Sequence, residues 1–563
     1  MEERSGPAAA VTTASPPPAL YVVCAGLLAC AAAFVPHAGP PVAEDFMAPR
    51  ELVLHAAALA AALLCLARAR SVRIGAEDLF LAGFALLGLI SYRGVAANHW
   101  LGARAFGLTA SGVALFWCAR SLARGGWGPM LTRTAAAGAV LLAATALLEA
   151  YGGLALSLPG RAPGGVLGHR NSAAHLLVIA LPLLALHAAG ARRRRALLPL
   201  CAGLAMAAAV VVLSHSRGAW LASAAVGTFA TALLLAHPAG RAALFAPRSR
   251  AVGLALAAGV LAAVVLPNRL GWRSGAPEVE TLRRLADYSS GSGHGRVVQY
   301  GRTLEMVRDH PLLGVGPGNW TIEYPRYAAP RDPSYRPAEL VPTTRLPSGD
   351  WMGLAAERGL PALLLLALAG AALAARSART LRLPDDGDGE GDDANERARA
   401  RATLCVLVAV AVLGTFDPIL LQPLHAFFVC VVLGALAPAG RAWRSVTLRA
   451  APRRILACAF VLVSLAPLVV SARQLRSTML LAREGPAALP RAVRASPGDY
   501  RLQAMMAGHW VAAHRCDRAL GHIRAARALF PSAPAPRAMA AECARQAPVA
   551  ERDPRRAPTT FSN

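Results

Sequence analysis

The sequence contains no lysine. Its formal charge of +26 comes from 58 Lys+Arg against 32 Asp+Glu, so every one of those basic side chains is an arginine. Abundant Ala, Gly and Pro alongside arginine fits a GC-rich coding sequence. Charge is also nearly missing from runs of 16 to 20 residues that recur between Ala19 and Ala472. A run of that length and polarity suits a helix crossing a bilayer core. Its repetition excludes a soluble globular protein and a protein held by one anchor. The ten cysteines include no CxxC pair. Eight of them (Cys24, Cys30, Cys65, Cys118, Cys201, Cys405, Cys430, Cys458) lie inside apolar runs, as small buried side chains rather than metal ligands or a disulfide framework. Only Cys516 and Cys543 fall outside the membrane region, where they would be free to pair in an oxidising compartment. No cleavable signal peptide is evident, because the first apolar run follows a mixed-charge stretch and precedes many others.

What is present is a string of spans. The apolar runs are Ala19–Val35, Leu52–Ala67, Leu79–Tyr92, Ala103–Leu122, Ala135–Tyr151, Ser172–Ala189 and Ala196–Leu213 in the first half. Ala219–Ala236, Ala251–Leu266, Gly353–Ala375, Ala402–Phe416, Ile419–Ala437 and Ile455–Ala472 follow. Asp417-Pro418 leaves little room for a turn, so twelve or thirteen spans are expected. The fold class is therefore an all-α polytopic transmembrane bundle with one large outward loop and a small C-terminal helical-repeat region. Its divisions are a disordered N-terminus at 1–18, a membrane domain of about nine spans at 19–266 and the large loop at 267–352. A second membrane domain of about four spans covers 353–472 and contains an acidic linker at 376–401. A helical region at 473–548 and a disordered tail at 549–563 close the chain.

The arginines sort the loops into two sides. One set holds Arg68 to Arg73, Arg120 to Arg133, Arg192 to Arg195, Arg241 to Arg250, Arg376 to Arg401 and Arg441 to Arg454; the opposite short loops hold isolated ones such as Arg50, Arg93, Arg161, Arg170 and Arg217. Positive loops stay in the cytoplasm, which puts the N-terminus inside and the long loop and C-terminus outside. The same distribution argues against nucleic-acid binding, because the charge follows topology. The run from Asp385 to Glu396 has glycine-spaced acids without an EF-hand pattern, so no metal site is expected. Beyond the last span a 34-residue period appears: Leu489, Ala492 and Pro497 return as Ile523, Ala526 and Pro531, with Ala519 at a helix contact position. That is the tetratricopeptide period, and so few repeats would need to pack on the membrane domain or a protein partner.

Four outward clusters carry candidate chemistry. They are Gly168-His169-Arg170-Asn171, Ser214-His215-Ser216-Arg217-Gly218, Gly295-Arg296 leading to the stretch from Asp309 to Asn319, and Ser348-Gly349-Asp350-Trp351 leading to Pro361. A lone arginine at a membrane end snorkels to headgroups or caps a helix. Arg170, Arg217 and Arg296 together, on the side where positive charge is sparse, point instead to a pocket for an anionic, phosphate-bearing amphiphile. Gly314, Gly316 and Gly318 form a tight loop whose amides would add donors, with His310 and Asn319 structuring it.

The order Asn171, Ser216-Arg217-Gly218, Arg296, His310-Pro311-Leu312-Leu313-Gly314-Val315-Gly316-Pro317-Gly318-Asn319 and Asp350-Trp351…Glu357-Arg358-Gly359-Leu360-Pro361 resembles the O-antigen ligase/polymerase superfamily, over roughly Gly168 to Leu366. The resemblance implies an inner-membrane glycosyltransferase without metal or cofactor. Its donor would be a glycan on undecaprenyl diphosphate, and its acceptor a hydroxyl of lipid A–core, another glycan or a protein. Arg217 and Arg296, with Arg170 as a third, would bind the diphosphate and offset leaving-group charge. Family members commonly carry His-Asn-Asp nine residues ahead of the closing Glu; here Ser348 and Gly349 replace the first two and Asp350 remains. Asp350 is expected either as general base or as a helix N-cap ahead of Gly353, and His294 or His310 would be substitutes. Ligase and polymerase are not separated by these motifs. A flippase for lipid-linked glycan and a non-catalytic assembly scaffold are the competing readings, the first disfavoured by the nearly charge-free spans.

Overall fold

A computed structural model describes residues 15–36, 41–236, 238–272, 274–285, 287–382, 390–438 and 444–546. The expectations for 1–14, for 383–389 within the acidic linker and for the tail beyond 546 lie outside the described residues.

Hydrocarbon offers no partner for backbone N–H and C=O groups, so apolar runs rich in Ala and Leu satisfy them within helices. Each of the thirteen runs falls on a helix. The first seven are α1 (Pro18–Ala32), α2 (Ala43–Arg68), α3 (Ala76–Gly94), α4 (His99–Leu122), α5 (Gly128–Tyr151), α6 (Arg170–Ala189) and α7 (Arg194–Leu213). After α8 (Arg217–Leu235) come the short α9 (Pro238–Leu244) and the span α10 (Pro247–Val265). The long loop then holds α11 (Pro277–Arg283), α12 (Gly291–Asp309) and the single turn α13 (Trp320–Glu323). Among the described residues nine helices are long and apolar enough to cross a membrane. One of the nine, His99–Tyr151, is a hairpin of α4 and α5 that doubles back at Gly126, whose φ is +88°. Two shorter apolar helices, α1 at 15 residues and α17 (Pro423–Leu436) at 14, fill out the bundle.

The run expected from Gly353 to Ala375 is broken into α14 (Asp350–Arg358) and α15 (Leu360–Arg382). The break is at Gly359, φ +83°, where a Cβ would strike the carbonyl of Leu312. The segment from Pro311 to Gly316 is docked against it: Val315 N–H donates to Ala356 O, Gly316 N–H to Glu357 O and Leu360 N–H to Pro311 O. Ser91 Oγ on α3 donates to the carbonyls of Leu313 and Glu357, fastening this clasp to the bundle. Asn319 extends it, with Oδ1 accepting from Asn98 N–H at 2.7 Å. The supposed linker at 376–401 is helical wherever it is described, because α15 runs to Arg382 and α16 (Glu390–Phe416) begins at Glu390; Ala, Arg and Glu are good helix formers.

Two strands, β1 (Ser71–Ile74) and β2 (Arg444–Thr447), pair antiparallel and tie two arginine-rich loops together at one end of the bundle. Salt bridges from Arg120 to Glu77 and Asp78, and from Arg376 to Glu77, strengthen that end. At the other end α18 (Ala450–Glu484), 35 residues and about 52 Å long, runs past the apolar part of the bundle. It leads into α19 (Leu489–Ala495), α20 (Tyr500–Ala512), α21 (Cys516–Leu529) and α22 (Pro534–Gln546). Ala519, Ile523 and Ala526 are buried, and a disulfide joins Cys516 to Cys543. These helices rest on the long loop: Tyr500 Oη donates to Leu340 O and Ser532 Oγ to Ile322 O, over a buried cluster of Ile322, Tyr500, Ala526 and Phe530.

Gly316 tests the clasp. Its φ is +97° and a Cβ would come within 2.6 Å of Ala96 Cα and 2.7 Å of Ala96 Cβ. Gly316→Ala is expected to destabilise the protein by about 1–3 kcal/mol, seen as a lower thermal midpoint of the purified protein in detergent.

Candidate functional site

On the end of the bundle carrying the long loop, the first turns of α6 and α8, the last turn of α5 and residues from 153–162, 269–272, 274–284 and 287–292 line a cavity of about 790 Å³. Glu149, in the last turn of α5, shapes one wall. Its carboxylate accepts from the N–H groups of Leu156, Ser157, Gly164 and Gly165 and from Ser157 Oγ, at 2.6 to 2.8 Å. The segment between α5 and α6 is thereby wrapped around one buried charge, which is offset by donors rather than by a cation.

Arg170, the first residue of α6, places its guanidinium 4.8 Å from the ring centroid of Trp272. Arg217, the first residue of α8, reaches across the cavity edge: Nη1 donates to the carbonyls of Arg284 at 2.7 Å and Asp287 at 2.8 Å, and Nη2 to Ser292 Oγ at 3.0 Å. Arg269 also lines the cavity. Among the described residues none of these three has a carboxylate within ion-pair distance, whereas Arg284 at the rim pairs with Glu280 at 2.8 Å. The Arg217 guanidinium, held by carbonyls and a hydroxyl, and that of Arg170, over an aromatic face, are not tied up in ion pairs.

Arg296 lies one helical turn beyond Ser292 on α12, and its charge and that of Arg217 act on each other. It does not line the cavity. Its Nε donates to Phe416 O at 2.8 Å and its Nη2 to Asp417 at 3.0 Å, so it anchors the turn between α16 and α17. Asp417 also faces His175 Nε2 at 3.5 Å, and His175 Nε2 is 3.1 Å from Ser216 Oγ beside Arg217. Burial pushes the Asp417 carboxyl above the usual carboxylate range while Arg296 pulls it back.

Asp350 is placed differently from both expectations. Gly349 is the N-cap of α14 and Asp350 its first residue, 0% exposed. Its carboxylate accepts from Ile419 N–H at 2.9 Å and Leu420 N–H at 3.0 Å, so it caps the neighbouring turn and does not reach the cavity. The carboxylate joined to the arginine network is Asp417. Ser348 is fixed by Gln299 Oε1 at its N–H and by Tyr300 Oη at its carbonyl. His294 is exposed and two residues from both Ser292 and Arg296, which turns it to the far side of α12. His310 is exposed, with its backbone ending α12 through a bond from its N–H to Met306 O. The amides of Gly314 and Gly316 are not free for a phosphate, since they donate to His310 O and Glu357 O. Gly318 comes close to Leu101 O, so the loop packs against α4.

Of the arginines singled out in the sequence, Arg170 and Arg217 line the cavity and Arg296 does not; Glu149, Arg269 and Trp272, which also line it, and Asp417, which pairs with Arg296, were not singled out. Asp417 had a visible signal, a carboxylate at the end of a nearly charge-free run, which is a functional flag in membrane chains. Glu149 carried the same signal in the Ala135–Tyr151 run.

Burial raises the Asp350 carboxyl to about 7, with the Leu420 and Ile419 amides opposing and the Asp417 charge adding. The folded chain thus holds a proton there that the unfolded chain, titrating near 4, has released, and stability falls as pH rises from about 4 to 7. Asp350→Asn is expected to flatten this slope in thermal midpoints measured across that range.

No curated protein matches the chain. Residues 201–367, from within α7 into α15 and including Arg217, Arg296 and the clasp, match the family model described as O-antigen ligase; this stretch is an O-antigen ligase domain, of the superfamily that the motifs resemble.

Proposed function

We propose that the chain transfers glycan from undecaprenyl diphosphate to an acceptor hydroxyl at the periplasmic face of the bacterial inner membrane, in cell-surface polysaccharide biosynthesis. One observation carries this reading: the cavity beside the O-antigen ligase domain is lined by Arg170, Arg217 and Arg269, each without a carboxylate partner among the described residues. Its volume suits a ligand site. Charged phosphate oxygens would replace solvent around these guanidiniums, and the bond broken in transfer leaves its electron pair on the diphosphate, where fixed positive charge lowers the barrier. In this reading arginines take the part that a metal ion plays in other transferases. Arg296 acts at one remove, holding the Asp417 turn beside Ser216 and Arg217.

Sidedness is supported by two independent features. The strands pair two arginine-rich loops at the end away from the cavity, as the positive-inside rule asks. The C-terminal helices that dock on the long loop contain the Cys516–Cys543 disulfide, which persists in an oxidising compartment. The cavity is built from helix ends and loop, at the edge of the bundle and not through its middle, which favours transfer over transport.

In proteoliposomes, Arg170→Ala is expected to weaken donor use about 10-fold to 100-fold in KM. Arg217→Lys is expected to lower transfer about 100-fold, because one ammonium cannot hold Arg284 O, Asp287 O and Ser292 Oγ together. Unchanged transfer in both variants would sink the diphosphate assignment. In intact cells, a membrane-impermeant reductant followed by an impermeant maleimide should label Cys516 and Cys543; labelling only after lysis would reverse the topology.

A further inference from the structure

His215 lies in the turn between α7 and α8 with φ +50°, between Ser214 and Ser216, whose hydroxyl caps α8. Its side chain is 7% exposed and forms part of the cavity wall. Thr281 Oγ1 donates to Pro277 O at 2.8 Å and lies 3.1 Å from His215 Nδ1. The tautomer that completes this pairing carries its hydrogen on Nδ1 and leaves the Nε2 lone pair open. Nε2 has no hydrogen-bond partner among the described residues, and Glu278 Oε1 at 3.9 Å is beyond bonding distance. Trp272 stands edge-on to the imidazole at 4.5 Å between ring centroids, and its indole Nε1–H is likewise buried without a partner. An orphan acceptor beside an orphan donor, on the wall of a ligand-sized cavity, is an arrangement that a hydroxyl group would complete by donating to one and accepting from the other.

We propose that His215 is the general base of the transfer, its Nε2 taking the proton of an acceptor hydroxyl that the Trp272 indole N–H holds. This rests on the glycan-transfer reading above. The hydroxyl proton passes to Nε2 as the oxygen's electron pair forms the bond to the sugar C1. The bond from C1 to the diphosphate oxygen breaks, and its electron pair leaves on that oxygen, beside Arg170 and Arg217. The imidazolium then gives its proton to the departing diphosphate or to water.

The surroundings suit a base that is neutral at rest. Glu278, Glu280 and Thr281 face the ring from α11, Arg170 from α6, Trp220 and Arg217 from α8, and Trp272 from the segment before α11. Burial lowers the imidazole below its ordinary range and Arg170 adds to this, while Glu278 and Glu280 oppose it and would steady the imidazolium once formed. A base in this turn also accounts for a working site without histidine at Ser348.

The test uses the full-length protein in proteoliposomes, with undecaprenyl-diphosphate-linked oligosaccharide and acceptor from cells that make the protein. His215→Asn keeps an N–H for Thr281 Oγ1 but has nothing at the Nε2 position. It is expected to lower kcat about 100-fold or more with donor KM within about threefold. It should also abolish the fall in rate expected of wild type as pH drops below the ordinary imidazole range, and millimolar imidazole should restore part of the rate. Trp272→Phe should raise acceptor KM about 10-fold and keep the acid limb. His215→Asn that transfers at the wild-type rate, or keeps the acid limb, overturns the proposal. Should that variant fail to insert, His215→Gln is judged by the same criteria. Wild-type protein that makes no product at all is a separate result, which removes the glycan-transfer reading and this proposal with it.

Discussion

The guanidinium of Arg217 is bound to the protein entirely through neutral acceptors. Two carbonyls and a serine hydroxyl hold it across the gap between the start of α8 and the segment joining α11 to α12. Those bonds close one side of the cavity, and no carboxylate takes part in them, although the Asp287 carboxylate acts on the guanidinium from a longer distance. A carboxylate in the same place would give an equally firm tie and a site with no affinity for anions. The neighbouring Arg296 shows the contrast: paired with Asp417, it works as an anchor. What separates the two arginines is thus the chemistry of the acceptor, which position along the chain does not reveal.

The long loop needs fixed ends for that geometry to persist. The clasp of Pro311–Gly316 on the end of α14 supplies one, and Gly359 is there because the approaching Leu312 carbonyl leaves no room for a side chain. Arg345 supplies another contact, reaching Glu44 at 2.9 Å beside the buried pair of Arg104 with Glu51. The C-terminal helices lie over the same loop through Tyr500 and Ser532. Three separate parts of the chain thus converge on one segment that carries no span of its own, consistent with a rigid scaffold holding a catalytic loop.

The two sequence motifs that looked most separate, HPLLGVGPGN and ERGLP, are halves of one backbone interaction. Their glycines serve close approach and positive φ, and the amides of Gly316 and Leu360 are spent on carbonyls of the opposite motif, that of Gly314 on His310 O. The same holds for Asp350, which is turned inward to the amides of Ile419 and Leu420. The residues of these two motifs and Asp350 build the frame, and the cavity is lined instead by Arg170, Arg217, Arg269, His215 and Trp272.

The amino-acid sequence determined the helical class, the positions of the apolar helices and the sorting of loops into an arginine-rich and an arginine-poor end. These depend on local hydropathy and charge, which a bilayer reads segment by segment. It also marked Arg170 and Arg217 as arginines on the sparse side, and the O-antigen ligase resemblance. Only the tertiary structure decided that Arg296 pairs with Asp417, 121 residues away, that Asp350 faces amides, and that Cys516 meets Cys543. It alone placed Trp272 against Arg170 and His215. Such facts depend on which acceptor lies within about 3 Å of a donor, and that is set by how distant helices pack, a property no single segment contains.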